Sequence, residues 1–159
     1  MAEPSTGLQQ LQDRVDIAST LATFCARVDE YDIEAVSLLF TEDCEVDYGP
    51  GRGGPQSGRS AVRNRIAKGQ AQFRRTHHQL GQSLVELEGT LAHALTYVTA
   101  WHEENDDSIS EVRLRYVDDL VKTPAGWLIS RRSVLASGIV GFAGVPWNWV
   151  PRQTPSPTD

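Results

Sequence analysis

Beyond Thr76 the hydrophobic period of the chain changes, and this change restricts the fold more than any other feature. Upstream, apolar residues recur at helical spacing, whereas from about His77 to Leu135 they alternate with polar ones. The spacing predicts strands over about His77–Glu88, Leu91–Glu103, Ser110–Lys122 and Trp127–Leu135. Between them lie Glu88-Gly89-Thr90, Asn105-Asp106-Asp107 and Thr123-Pro124-Ala125-Gly126, which are turn-forming stretches of hairpin length. Connections this short make successive strands antiparallel, so the second half of the chain reads as a meander.

The first half reads as three helices. Leu8, Leu11, Val15, Ala18, Leu21, Ala22 and Cys25, flanked by Phe24 and Val28, predict one long helix from Leu8 to about Val28. Asp29-Glu30-Tyr31-Asp32 breaks it, and Asp32 caps a short second helix carrying Val36, Leu39 and Phe40. Thr41-Glu42-Asp43 turns the chain into a strand over Cys44–Tyr48. Gly49–Gly58, with five glycines and two prolines, is a loop long enough to act as a lid. Ser60 is placed to cap a third helix through about Gln72, with Val62 and Ile66 inward. Three helices followed by a meander imply an α+β fold in which a curved antiparallel sheet wraps the long helix and leaves a conical interior. The expected domain spans 8–149, with flexible ends at 1–7 and 150–159, where Pro, Ser and Thr are frequent. Ser137–Trp149 is glycine-rich and aromatic; it is expected to be irregular and to cover a pocket mouth or a subunit interface.

A net charge of −6 argues against binding driven by nucleic acid or anionic membrane and favours a small neutral or weakly charged partner. No stretch resembles a leader peptide or a membrane span, so the cytoplasm is the expected location. Cys25 and Cys44 are too few for a disulfide framework and are expected to be reduced and partly buried.

Alternation turns His78 and Leu80 to one face and His77 and Gln79 to the other, which makes His78 the inward histidine. A hydrogen-bonded core histidine satisfies the same pattern, so its neighbours have to decide. In the next strand the small residues Ala94, Thr96, Val98 and Ala100 share a face with His102 and leave room for a ligand, with Tyr97 and Trp101 packing against helices. Tyr116 and Asp118 share an apolar face of the following strand and need partners or a ligand there, although Asp118 also suits a solvated sheet edge. Asp29 closes the long helix on the stripe of Leu21, Ala22 and Cys25, where a carboxylate can orient an imidazole as a base or simply form a turn. Phe24, Tyr48, Phe73, Phe142, Trp147 and Trp149 are candidates for a lining suited to an aromatic, polycyclic or terpenoid ligand. His77, His78, His93, His102 and the two cysteines lack metal-ligand spacing, the glycine loop lacks the lysine of a phosphate cradle, and no Gly-x-Ser-x-Gly element occurs. Neither a metal nor a cofactor is expected.

Val28-Asp29-Glu30-Tyr31-Asp32, Val46-Asp47-Tyr48-Gly49, Thr76–Gly81, Tyr97–His102, Arg115–Asp119 and Gly126–Ile129, in this order, resemble the SnoaL-like group of the nuclear transport factor 2-like superfamily. The likeness extends to scytalone dehydratase, the bile-acid dehydratases and hexachlorocyclohexane dehydrochlorinase, all cofactor-free lyases. It implies a catalytic dyad of His78 and Asp29, with Tyr48 and His102 also catalytic by the scytalone dehydratase pattern and Arg132 in the site by the dehydrochlorinase pattern. Phe24, Tyr116, Asp118, Phe142 and Trp147 complete the expected substrate contacts. Val28 stands where scytalone dehydratase has a tyrosine, and its serine–asparagine pair falls near Leu114 and Tyr116. The implied activity is that of a dehydratase-like lyase, isomerase or polyketide cyclase acting on a hydrophobic cyclic molecule. A non-catalytic binding domain and the small subunit of a ring-hydroxylating dioxygenase are the alternatives. The resemblance also suggests a homodimer or homotrimer.

Overall fold

The computed structural model of the chain describes residues 6–153, so the terminal expectations for 1–5 and 154–159 lie outside the described residues. Helix α1 runs Gly7–Asp29, with the Thr6 hydroxyl accepting from the backbone N–H of Gln9. Short α2 (Ile33–Ser37) follows, capped as expected by the Asp32 side chain, which accepts from Ala35 N–H. Strand β1 (Phe40–Asp47) leads through a 3-10 turn at Pro50–Arg52 to short β2 (Pro55–Ser57), and α3 spans Arg59–Gln70. The meander is β3 (Phe73–Glu88), β4 (Leu91–Glu104), β5 (Ile109–Thr123) and β6 (Gly126–Val140).

The six strands form one sheet in the order β2-β1-β6-β5-β4-β3. Antiparallel pairing holds throughout except between β1 and β6, which run parallel, so the sheet is mixed rather than wholly antiparallel. It curves around α1, whose Ile17, Leu21, Phe24, Cys25 and Val28 are buried against it together with Val98, Val112, Leu114 and Val134. The α+β cone read from the chain is the observed architecture.

Local readings differ at several points. Leu8, Leu11 and Val15 are exposed, and the buried stripe of the N-terminal half of α1 is Asp13 and Ile17 instead. Asp13 faces inward because Lys122 Nζ (2.6 Å) and Trp127 Nε1 (3.1 Å) donate to its carboxylate. Phe40 opens β1 instead of closing α2, and its side chain is fully buried. The cap of α3 is Gly58, not Ser60; its φ of 85° is a conformation that side-chain-bearing residues rarely adopt. Ser137–Val140 continues β6, so only the remainder of the glycine-rich segment is irregular.

The register of β3 shifts against β4 between Leu80 and Ser83, where one extra residue in β3 makes a bulge. The bulge inverts the faces downstream: Leu84, which unbroken alternation would put on the face of His78 and Leu80, is exposed, and Ser83 meets Thr96 through their hydroxyls at 2.9 Å. Tyr97 lies on the outer face under the Arg115 guanidinium rather than against a helix. Trp101 shares that face, while Thr96 and His102 are buried on the inner one. Cys25 and Cys44 are free thiols, both buried.

Candidate active site

The interior of the cone is a cavity bounded by every layer of the fold. Phe24 and Val28 reach it from α1; Arg65, Ile66, Gly69 and Gln70 from α3; Phe73 and His78 from β3. The sheet continues the wall with Ala100 and His102, then Val112, Leu114 and Tyr116, then Val134, while Tyr48, Arg52 and Trp147 close the end. The space between atoms is about 610 Å³ counted to the open mouth, of which about 70 Å³ admits the centre of a water-sized sphere. That is room for a small ligand or a few waters.

His78 is the wall residue that Asp29 meets. The last turn of α1 crosses the start of β3, and the residues of β3 that face it are Thr76 and His78, two apart on one side of the strand. Asp29 Oδ1 accepts from His78 Nδ1 at 2.7 Å and from the Thr76 hydroxyl at 2.8 Å, and Oδ2 accepts the backbone N–H of His78 at 2.9 Å. Burial pushes the Asp29 carboxyl up, and these hydrogen bonds outweigh it, leaving the group below its ordinary value and ionised. A carboxylate on Nδ1 fixes the tautomer with its proton there and leaves Nε2 as the basic nitrogen. The His78 side chain is only 6 % exposed, and among the described residues Nε2 makes no hydrogen bond.

His102 packs between Phe73 and Phe142, with ring centroids at 4.4 and 5.3 Å, and stands edge-on to His78 at 5.6 Å. Burial, then the neighbouring His78 and Arg52, push its value down to about 3, so the ring is neutral at physiological pH. A neutral ring can donate or accept a hydrogen bond; the Ser110 backbone bonds to it, and its Nδ1 has no partner among the described residues. Burial pushes the Tyr48 phenol up to about 12 against the opposing pull of the neighbouring Arg132 guanidinium, and its hydroxyl makes no well-formed hydrogen bond among the described residues. Both polar atoms lie in residues of the cavity wall, where an unpaired buried group is costly until a ligand meets it.

Of the expected substrate contacts, Phe24, Tyr116 and Trp147 line the cavity. Phe142 does not; it stands behind, edge-on to Trp147 at 5.6 Å. Asp118 and Arg132 do not border the cavity either. Both are fully buried, which overturns the solvated edge position considered for Asp118. Arg132 Nε and Nη2 donate to the two Asp118 oxygens at 2.7 and 2.8 Å, the two-pronged geometry of an ionised pair. Burial alone would favour a neutral guanidine, and the Asp118 carboxylate holds the proton on. The guanidinium lies 4.2 Å from the Phe24 ring centre and 3.9 Å from that of Tyr116, so it fixes two wall residues from beneath. Trp149 is exposed.

Sequence reasoning missed Thr76, Arg52 and Arg65. Thr76 was legible, since it sits two residues before His78. Arg65 shares its side of α3 with inward-facing Val62 and Ile66, but Arg52 gave no periodic signal, because a 3-10 turn in a glycine loop has none. Among the described residues no group of three or more His, Cys, Asp or Glu side chains is arranged to hold a metal. Likewise none of the described helices is long and apolar enough to cross a membrane.

Fold and site together define a class: an α+β cone whose interior presents a carboxylate-oriented histidine to a small cavity. Residues 9–133 match the SnoaL-like domain, and the chain belongs to that family. Its fold is the nuclear transport factor 2-like cone. An uncharacterized protein of Mycobacterium tuberculosis is 25% identical over 125 residues, covering 77% of this chain and 84% of its own. A candidate scytalone dehydratase from Novosphingobium aromaticivorans superposes with a TM-score of 0.87 at 22% identity, covering 94% of this chain and 100% of its own. A candidate aromatic ring hydroxylase from the same organism is similar at a TM-score of 0.77 and 28% identity, covering 82% and 94%. A hexachlorocyclohexane dehydrochlorinase from Novosphingobium barchaimii shares the fold at a TM-score of 0.73 and 14% identity, covering 92% and 100%.

Proposed function

We propose that the chain is a cofactor-independent lyase or isomerase of dehydratase type, acting on a hydrophobic cyclic small molecule. The observation that carries this is the Asp29–His78 pair, at 2.7 Å, with Nε2 left free on a residue of the cavity wall. In the reaction, Nε2 takes a proton from a carbon next to a carbonyl or leaving group. The C–H electron pair then forms a new double bond, and the leaving group departs with its own bonding pair, a hydroxyl taking the proton back from the imidazolium to leave as water. In an isomerisation the C–H pair forms the enolate double bond, the C=O π pair moves onto oxygen, and the imidazolium returns the proton at another carbon. Asp29 stabilises the imidazolium that results. The Tyr48 hydroxyl and the neutral His102 ring offer hydrogen bonds to the oxygen that gains charge, fixed in place before the reaction begins. Names given to proteins of the same fold, a candidate scytalone dehydratase and a dehydrochlorinase, are in keeping with elimination.

The test is proton exchange at carbon in D2O, followed by mass spectrometry over a panel of hydroxylated and halogenated cyclic compounds. Wild type is expected to label or convert at least one, and His78→Ala or Asp29→Asn to lose about a hundred- to ten-thousandfold of that rate while keeping its fold. Unchanged turnover in either variant sinks the mechanism. The likeness to a candidate aromatic ring hydroxylase favours a second reading, the small subunit of a ring-hydroxylating system. That reading requires co-purification with a larger iron-containing chain.

A further inference from the structure

The net charge of −6 suggests a protein that avoids anions, but the cavity has the opposite character. Arg52 and Arg65 both line it, and no aspartate or glutamate does. The same two arginines border an open groove, about 1100 Å³ of space between atoms, on the outside of α3, whose other charged residue is Lys68 and which again has no acid in its wall. They therefore stand where the interior meets solvent. Neither forms an ion pair among the described residues, although Arg59 and Arg63 nearby each hold a glutamate, Glu42 and Glu34.

Both side chains are held in place. The Arg52 guanidinium lies 4.2 Å from the Trp147 ring centre and 5.0 Å from that of Phe142. Arg65 Nε donates to the Arg52 carbonyl, which ties α3 to the 3-10 turn. Gly69, one turn along α3, leaves space for the Arg65 guanidinium: a Cβ there would stand 3.0 Å from Nη1. Two fixed cations side by side repel, and burial adds to the cost; Arg52 is pushed down to about 10 by burial and then by Arg65. An independent sign of a missing ligand is Trp147. This wall residue is 7 % exposed, and its indole N–H has no acceptor among the described residues. An oxyanion at the mouth supplies an acceptor for that N–H and a counter-charge for both guanidinium groups.

We propose that the molecule bound in this cavity carries an oxyanion, carboxylate or phosphate, held at the mouth by Arg52 and Arg65 with Trp147 Nε1 as a further donor. The inference rests on the cavity being the substrate site, and it narrows the substrate from any hydrophobic ring compound to an acidic one. Planar guanidinium groups suit both oxyanions, since each donates two parallel hydrogen bonds.

The experiment is calorimetric titration at pH 7 with cinnamate, phenyl phosphate and methyl cinnamate. At least one anion is expected to bind tenfold or more tightly than the neutral ester, and which anion does so separates carboxylate from phosphate recognition. Arg52→Gln and Arg65→Gln are each expected to cost about ten- to a hundredfold for the preferred anion and to leave the ester unchanged. Retained ester binding also establishes that each variant keeps its pocket. Equal binding of all three compounds, binding of none, or a preference that survives in the double variant overturns the proposal. His78→Ala is expected to keep the preference while losing turnover; a wild-type protein that shows the preference but turns over none of the compounds counts against the proton-transfer mechanism alone.

Discussion

At the scale of single residues, the site is governed by which buried polar atoms are paired. Asp29 is fully engaged, whereas Tyr48 Oη, His102 Nδ1 and Trp147 Nε1 meet no hydrogen-bond geometry among the described residues. Asp118 belongs to the first kind, and so do Nε and Nη2 of Arg132, whereas its Nη1 has no partner among the described residues. Their role is support, since the guanidinium braces Phe24 and Tyr116 without reaching the cavity. Asp118→Asn leaves that guanidinium buried without its counter-ion, at a cost of about 3–5 kcal/mol. Urea denaturation measures it, and a loss below about 1 kcal/mol would show that the pair is dispensable. Because the damage spreads through two wall residues, ligand affinity is expected to fall along with stability.

At the scale of elements, the mouth is built from two segments far apart in sequence. Gly51 N–H donates to Pro146 O at 3.0 Å, and Asp47 Oδ2 accepts from the Asn148 side chain at 3.0 Å. A Cβ at Gly51 would lie 2.6 Å from both Pro146 O and Val145 Cγ1. Gly51→Ala is therefore expected to push the turn carrying Arg52 away from the C-terminal segment, at a cost of about 1–3 kcal/mol. Faster proteolytic cleavage within 49–58, with the core transition nearly unchanged, is the measurement; resistance equal to wild type argues against the contact. The same comparison explains how much was legible beforehand. The meander, the helix count and the pairing of Asp29 with His78 followed from periodicity and from a family likeness, which are properties of regular elements. The bulge after Leu80, the parallel pairing of β1 with β6 and the position of Arg52 were not legible, because each depends on contacts between distant segments that leave no local pattern. Asp118 was misread for a related reason: its partner Arg132 lies on another strand, and a charged residue read alone is assigned to water.

At the scale of the whole molecule, stability in acid depends on groups that fold into unusual states of protonation. His102 has its ordinary value near 6.5 when unfolded and about 3 when folded, so between these pH values the unfolded chain takes a proton that the native one refuses. Stability therefore falls as pH drops through this window, by at most about 1.4 kcal/mol per pH unit from this one group. Asp29, held below its ordinary 3.8, contributes stability that is complete above that value and lost as pH falls through its folded one. Unfolding free energies measured from pH 7 to pH 4 are expected to decline less steeply in His102→Phe than in wild type. Equal slopes would mean that His102 is not the group responsible.

The parallel pairing of β1 with β6 also bears on when the site comes into being. Phe40 pairs with Ile129, so β1 has no strand beside it on that side until nearly the whole chain has been synthesised. Closing so long a stretch of chain makes the step slow relative to the hairpins of the meander. Only after it do Val134 and Trp147 reach the wall that already holds His78. A nascent chain arrested before β6 thus has the His78 and Asp29 side chains but no enclosed space around them. Binding capacity should appear during refolding as a late event, after the meander has formed.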